Sequence, residues 1–119
     1  MTDERRHDPA HDPLDLERFL VTRQRDGDLD GMLALYEPDA VLDVGEGHIV
    51  AGLDAIRAYF ADAIESGQRY AIGEQRPALV SGDLALTSTR LPDGTVTAEV
   101  ARRQSDGTWR WVIDRFTVG

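Results

Sequence analysis

The stretch GDLDGMLALYEPDAVLDVGEG, Gly27 to Gly47, sets one carboxylate, Asp43, in a run of valine and leucine. A carboxylate there is either a pocket acid or base, or an exposed strand residue. Glu46 and His48 follow around a glycine-rich turn, and Asp, Glu and His together are a metal-ligand inventory. Three ligands within six residues seldom converge, so no metal site is expected. His48 has the right intrinsic pKa for a proton shuttle near neutrality, although a turn histidine more commonly faces solvent. His7 and His11, with Asp8 and Asp12, form an H-x-x-x-H pair, but Pro9 weakens the helix that would align them.

A second candidate lies near the end of the chain, in WRWVIDRF. Strict alternation along a strand groups Asp114 with Arg110, Val112 and Phe116, and groups Trp109, Trp111, Ile113 and Arg115 on the other face. The two tryptophans then read as core or pocket wall, and Asp114 as outward-facing or at a dimer edge.

The chain as a whole narrows these options. Its 119 residues suit one domain with a core of its own. With 22 acidic against 13 basic residues, all arginine, the net charge of -9 argues against a nucleic-acid partner. There is no cysteine, which removes disulfides, thiolate metal sites and cysteine nucleophiles. No apolar run approaches the roughly 18 residues of a membrane helix, and the first residues lack an apolar signal region. The expectation is a soluble cytoplasmic protein without a membrane partner.

The elements follow from spacing. Residues 1–13 are polar, with two Asp-Pro steps, and are expected to be a flexible tail before a single domain over 14–119. Leu14, Leu16, Phe19 and Leu20 give a first helix ending at Gly27. Asp28 caps a short second helix carrying Leu29, Met32, Leu33 and Tyr36, stopped by Pro38. Ala40 to Val44 and His48 to Val50 read as two short strands around GEG. Ile56, Tyr59, Phe60, Ala63 and Ile64 mark the third helix, ended by Gly67. Four long strands follow, 69–80, 84–91, 95–104 and 108–118, separated by SGD, PDG and SDG turns. Three helices and a curled antiparallel sheet make an α+β fold, with the helices over the concave face.

GDLDGMLALYEPDAVLD, the G-x-x-A-I-R segment from Gly52 to Arg57, and the element order together resemble the nuclear transport factor 2-like superfamily, over Leu14 to Gly119. The superfamily includes ketosteroid isomerases, SnoaL-type cyclases and scytalone dehydratases, and DGTWRWVIDRF resembles its uncharacterised bacterial branch. The resemblance implies a cone with a pocket between sheet and helices, no cofactor, and a homodimer through the outer face of the sheet.

Carried over position by position, the isomerase pattern falls as follows. Its oxyanion tyrosine falls on Leu20 and the supporting tyrosine on Phe60, so both hydroxyls are missing. Its general base falls on Val44, or on Asp43 if a one-residue gap precedes the strand. Its strand carboxylic acid falls on Glu99, near the acid-base position of the SnoaL-type cyclases. If Glu99 faces the cone, desolvation raises its pKa, unless Arg90 or Arg103 pairs with it and holds it ionised.

Two functions are compatible with these positions. One is a cofactor-independent isomerase, cyclase or dehydratase acting on a small apolar carbonyl compound, with Glu99 and Asp43 as acid and base. Tyr59, Trp109 and Trp111, with Leu20, Val44 and Phe60, would form its pocket wall. The other is a non-catalytic dimeric ligand-binding module, which the missing tyrosines favour.

Overall fold

The computed structural model describes residues 8–118; His7 and the first six residues lie outside them. Three helices come early, α1 Asp15–Arg25, α2 Leu29–Leu33 and α3 Leu53–Glu65. Strands β1 Tyr36–Asp43 and β2 Ile49–Ala51 precede α3. Strands β3 Glu74–Gln75, β4 Leu79–Ser81, β5 Leu84–Thr87, β6 Thr89–Arg90, β7 Ala98–Arg103 and β8 Trp109–Arg115 follow it. The main sheet runs β2-β1-β8-β7-β5-β4, with β3 and β6 as a separate pair. Its pairs are antiparallel except β1 with β8. The fold is α+β, with a curved sheet against the helices.

The helices bury the stripes that the 3.6-residue period marks: Leu16 and Leu20 from α1, Ile56 and Phe60 from α3. Truncating a fully buried leucine such as Leu16 to alanine would cost about 2–5 kcal/mol. The Asp28 carboxylate caps α2 by accepting from the Gly31 N–H at 3.1 Å.

Four expectations are corrected. Tyr36 opens β1 rather than closing α2, because its backbone pairs with Trp111 and its ring packs against Phe60 and Trp111 in the core. The expected long strand 69–80 divides into β3 and β4 around Pro77, which lacks the N–H that a ladder needs. At Gly73 the neighbouring chain comes so close that a Cβ would lie 2.6 Å from the Arg90 carbonyl oxygen.

The end of the expected tail, residues 8–13, is built into the fold. Ala10 is buried and accepts from the Trp109 N–H at 2.8 Å. The buried Arg23 guanidinium donates to the Asp8 and Gly31 carbonyls at 2.6 and 2.8 Å. It also sits over the Phe19 ring, 4.8 Å from the centroid. Backbone carbonyls bonded to a buried cation order a segment whose own apolar content could not.

The fourth correction concerns β8. Val100 pairs with Ile113 and Ala101 with Trp111, which leaves Val112 as an extra residue, a β-bulge. Side chains before and after it are therefore out of phase. Trp109 and Trp111 point inward, Ile113 is 51% exposed, and Asp114 points inward again with only 3% exposure.

Candidate functional site

Helix α1 presents Glu17 and Leu20, three residues apart, to a cavity of about 300 Å³ between the helices and the sheet. The next turns of the same helix position the cavity's other side. The Gln24 side chain accepts from the Tyr70 N–H at 2.9 Å, and Arg25 Nε donates to the Tyr70 carbonyl at 2.8 Å. Thus α1 both lines the cavity and clamps the 68–70 segment, whose Tyr70 and Arg69 also line it. Tyr59 from α3 and Phe116 complete an aromatic wall, their ring centroids 5.9 Å apart.

The floor comes from β7 and β8, where Glu99 and Asp114 are direct cross-strand partners. Both line the cavity, and both are almost fully buried. Directly opposed side chains on one face lie close together, so two ionised carboxylates there would repel. Glu99 Oε1 accepts from the Thr87 hydroxyl at 2.7 Å, and Asp114 Oδ2 accepts from the Tyr36 hydroxyl at 2.7 Å.

These surroundings push the two acids to different extents. Burial raises the Glu99 pKa, while the Thr97 and Thr87 hydroxyls pull it back. Burial raises Asp114 far more, and the Glu99 charge adds to the rise against the opposing Tyr36 hydrogen bond. Glu17 is pushed up to about 7 by burial first and by Glu99 second. No arginine pairs with Glu99 among the described residues: Arg103 holds Asp83 at 3.1 Å, and Arg90 is exposed. Among the described residues, no ion pair involves Glu99 or Asp114.

The expected site residues divide. Glu99, Leu20 and Tyr59 line the cavity. Asp43 does not: its carboxylate takes the Gly45 N–H at 3.0 Å and the Arg115 guanidinium at 3.3 Å, because Leu42 is the residue of that strand that points inward. Val44 and Phe60 pack into the core instead of lining the cavity. Trp109 and Trp111 are core as well, packed near the strap at Ala10 and beneath Tyr36.

His48 is exposed, its ring 6.5 Å from that of Tyr59. No group of metal-ligating side chains occurs among the described residues, so Asp43, Glu46 and His48 do not converge.

Two cavity acids lie outside the set expected from sequence. Asp114 was hidden by the bulge. Glu17 was not among the candidates, although its i, i+3 spacing to Leu20 was a signal that it borders the apolar stripe.

The family model of the SnoaL-like domain matches residues 16–118. No curated protein matches the chain. Among solved structures, a Nostoc punctiforme protein of unknown function with a cystatin-like fold aligns at TM-score 0.70 and 17% identity, over 89% of this chain and 87% of that one. A provisionally named ketosteroid isomerase from Shewanella frigidimarina aligns at TM-score 0.68 and 12% identity, over 85% and 90%. A provisionally named dehydratase of the nuclear transport factor 2-like family from Streptomyces avermitilis aligns at 0.65 and 15%, over 84% and 88%. At these identities the likeness is one of fold.

Proposed function

The chain belongs to the SnoaL-like domain family, and from that premise we propose that it is a small-molecule pocket protein that moves a proton on a small, largely apolar carbonyl compound. The observation that carries this is the opposed, buried Glu99 and Asp114 on the cavity floor. Environments that push two acids apart assign their roles. Glu99, steadied by two hydroxyls, is the base that takes the proton from the carbon beside the carbonyl. Asp114, protonated, donates its hydrogen to the carbonyl oxygen as negative charge develops there. With an unsaturated substrate, Glu99 then returns the proton to the far carbon of the conjugated system while the enol O–H proton goes back to Asp114, giving isomerisation; with a β-hydroxy substrate, Glu99 instead gives that proton to the departing hydroxyl, which leaves as water as the O–H proton returns to Asp114, giving dehydration. Asp43, outside the cavity, has no part in this step.

Leu20 and Phe60 lack the hydroxyls of the isomerase pattern, which supports a second reading, a binding module without turnover. The experiment separating the two is deuterium exchange at the α-carbon of a panel of enolisable ketones, followed by NMR. Exchange above buffer, lost in Glu99→Gln and reduced in Asp114→Asn, supports the enzyme. No exchange above buffer with the parent protein removes that chemistry for the ketones tested.

The partner in this reading is a second copy of the chain. Val41, Ile113, Val100, Leu86 and Leu79 are successive cross-strand partners, one apolar row across five strands. They lie on the sheet face away from the helices, with Leu79 67% and Ile113 51% exposed. A flat row of this kind is self-complementary across a two-fold axis, as an isologous interface requires.

A further inference from the structure

We propose that Gln24 is a positioning residue of the cavity: its side-chain amide holds the 68–70 segment in place as a wall, and so sets how tightly a small molecule binds rather than how fast it reacts. This rests on the reading of the cavity as a small-molecule site, and it stands whether or not the molecule is turned over.

The main chain of the segment is the first ground. After α3 the chain turns at Gly67, whose φ is 82°, and no strand begins until β3 at Glu74. The Gln68 N–H still bonds back to the Ala63 carbonyl at 3.2 Å, but beyond it the segment has left the helix. Gln68, Arg69, Tyr70 and Ala71 line the cavity all the same. A wall without a ladder needs its main-chain groups met from elsewhere. The end of α1 meets three of them. Gln24 Nε2 donates to the Gln68 carbonyl, Gln24 Oε1 accepts from the Tyr70 N–H at 2.9 Å, and Arg25 Nε donates to the Tyr70 carbonyl at 2.8 Å. A primary amide carries both a donor and an acceptor, so this one side chain replaces a strand partner.

Burial is the second ground. Gln24 is only 3% exposed, although glutamine is a residue that normally stays in water. Both ends of its amide are bonded to the segment, which is what makes its burial tolerable. Without the amide, the Gln68 carbonyl and the Tyr70 N–H must go unpaired or move to reach water.

The third ground is placement. Gln24 follows Glu17 and Leu20 at spacings of three and four, so the helix face that lines the cavity continues into the clamp. The clamped residue carries a ring: Tyr70 packs against Phe60, centroids 6.4 Å apart, and forms part of the lining. A displaced backbone takes that ring out of the cavity wall.

The effect of such a displacement falls on affinity. A ligand that needs the wall in place binds in proportion to the fraction of molecules that have it there, so a wall held for about a tenth of the time weakens binding about tenfold. Once the ligand is bound the wall is present, and Glu99 and Asp114 meet it as in the parent.

The probe is benzylacetone, a neutral enolisable ketone, titrated by NMR into the full chain, with exchange of the Tyr70 amide hydrogen followed in parallel. Gln24→Leu, which keeps the bulk and loses both bonds, speeds exchange of the Tyr70 amide at least about tenfold and weakens benzylacetone about tenfold. At saturating ketone its α-carbon exchange rate stays within about twofold of the parent, so KM rises and kcat does not. Arg25→Gln, which removes one of the three bonds, shifts both readouts in the same direction by less, about threefold. Asp43→Asn leaves both unchanged.

Parental affinity in a folded Gln24→Leu variant overturns the proposal. So does a fall in kcat at unchanged KM, which would place Gln24 in the chemistry instead of the wall. If Gln24→Leu does not fold, Arg25→Gln decides by the same comparison. Ketone binding that depends on Gln24 in a protein that exchanges no ketone proton would defeat the enzyme reading and leave this one standing; ketone exchange indifferent to Gln24 would do the reverse. A parent that does not bind the ketone at all would remove both.

Discussion

Glu99 and Asp114 face each other across the β7–β8 ladder, each buried, and each holding one hydrogen bond from a different hydroxyl, Thr87 and Tyr36. The pair exists because the Val112 bulge turns Asp114 back to the face that Glu99 already occupies. Everything proposed for the cavity depends on that half-turn of phase.

Removing the donor and replacing the acceptor should have unequal effects. Tyr36→Phe takes away the hydroxyl that satisfies Asp114, costing about 1–3 kcal/mol in urea denaturation at neutral pH. Asp114→Asn keeps an acceptor oxygen for Tyr36 and places a neutral group beside Glu99, so its cost stays within about 1 kcal/mol. A larger loss in Asp114→Asn than in Tyr36→Phe would show that Asp114 is ionised and paired, and so unable to act as the proton donor.

The stability of Glu17→Gln relative to the parent should depend on pH with a definite sign. The folded pKa of Glu17 is raised from 4.5 to about 7, so the native state holds this proton more tightly than the unfolded state. The parent therefore loses stability as pH rises from about 4.5 to about 7, and the deficit persists above that range. Glutamine cannot ionise, so the variant gains on the parent by about 1–3 kcal/mol at about pH 8 and by little at about pH 4. Parallel denaturation midpoints across the whole range would refute the raised value.

A charge in the middle of the apolar row should dissociate the copies. Leu86→Arg or Ile113→Asp places like charges across the two-fold axis while leaving the cavity face alone. Sedimentation should give a dimer for the parent and a monomer for either variant at micromolar concentration. A monomeric parent would remove the homodimer.

Asp43→Asn offers the contrasting case. It breaks one partly exposed contact with Arg115, worth about 0–1 kcal/mol, and retains an oxygen for the Gly45 N–H. Melting temperature and ketone exchange should both stay close to the parent. A loss of exchange comparable with that of Glu99→Gln would return Asp43 to the site.

How much of this could be read along the chain follows from the range of the forces involved. The stripe Leu16–Leu20, the stripe Ile56–Phe60 and the Asp28 cap are set within one or two helical turns, and they are visible as spacing. The GDLDG turn, short helix and strand likewise point to the family. Tyr36 was misplaced because its local spacing fits a helix, while its partners, Phe60, Trp111 and Asp114, are all distant in sequence. Tertiary packing overrides weak propensity in such a case.

The sequence by itself determined the element types, the helix stripes, the acidic balance and the family, since these rest on periodicity, composition and local capping. Only the tertiary structure decided which acids share the cavity. Period-two alternation carries no mark of a bulge, so Asp114 reads as outward until Val100 and Ala101 fix the register of β8. Glu17 carries no mark in the sequence beyond its spacing to Leu20, and only the packing of α1 beside β7 and β8 half-buries it at the cavity and raises its pKa. Asp43 reads as a candidate base until Leu42 takes the inward position and Arg115 the carboxylate. Inward and outward are properties of packed elements, and one residue of phase exchanges them.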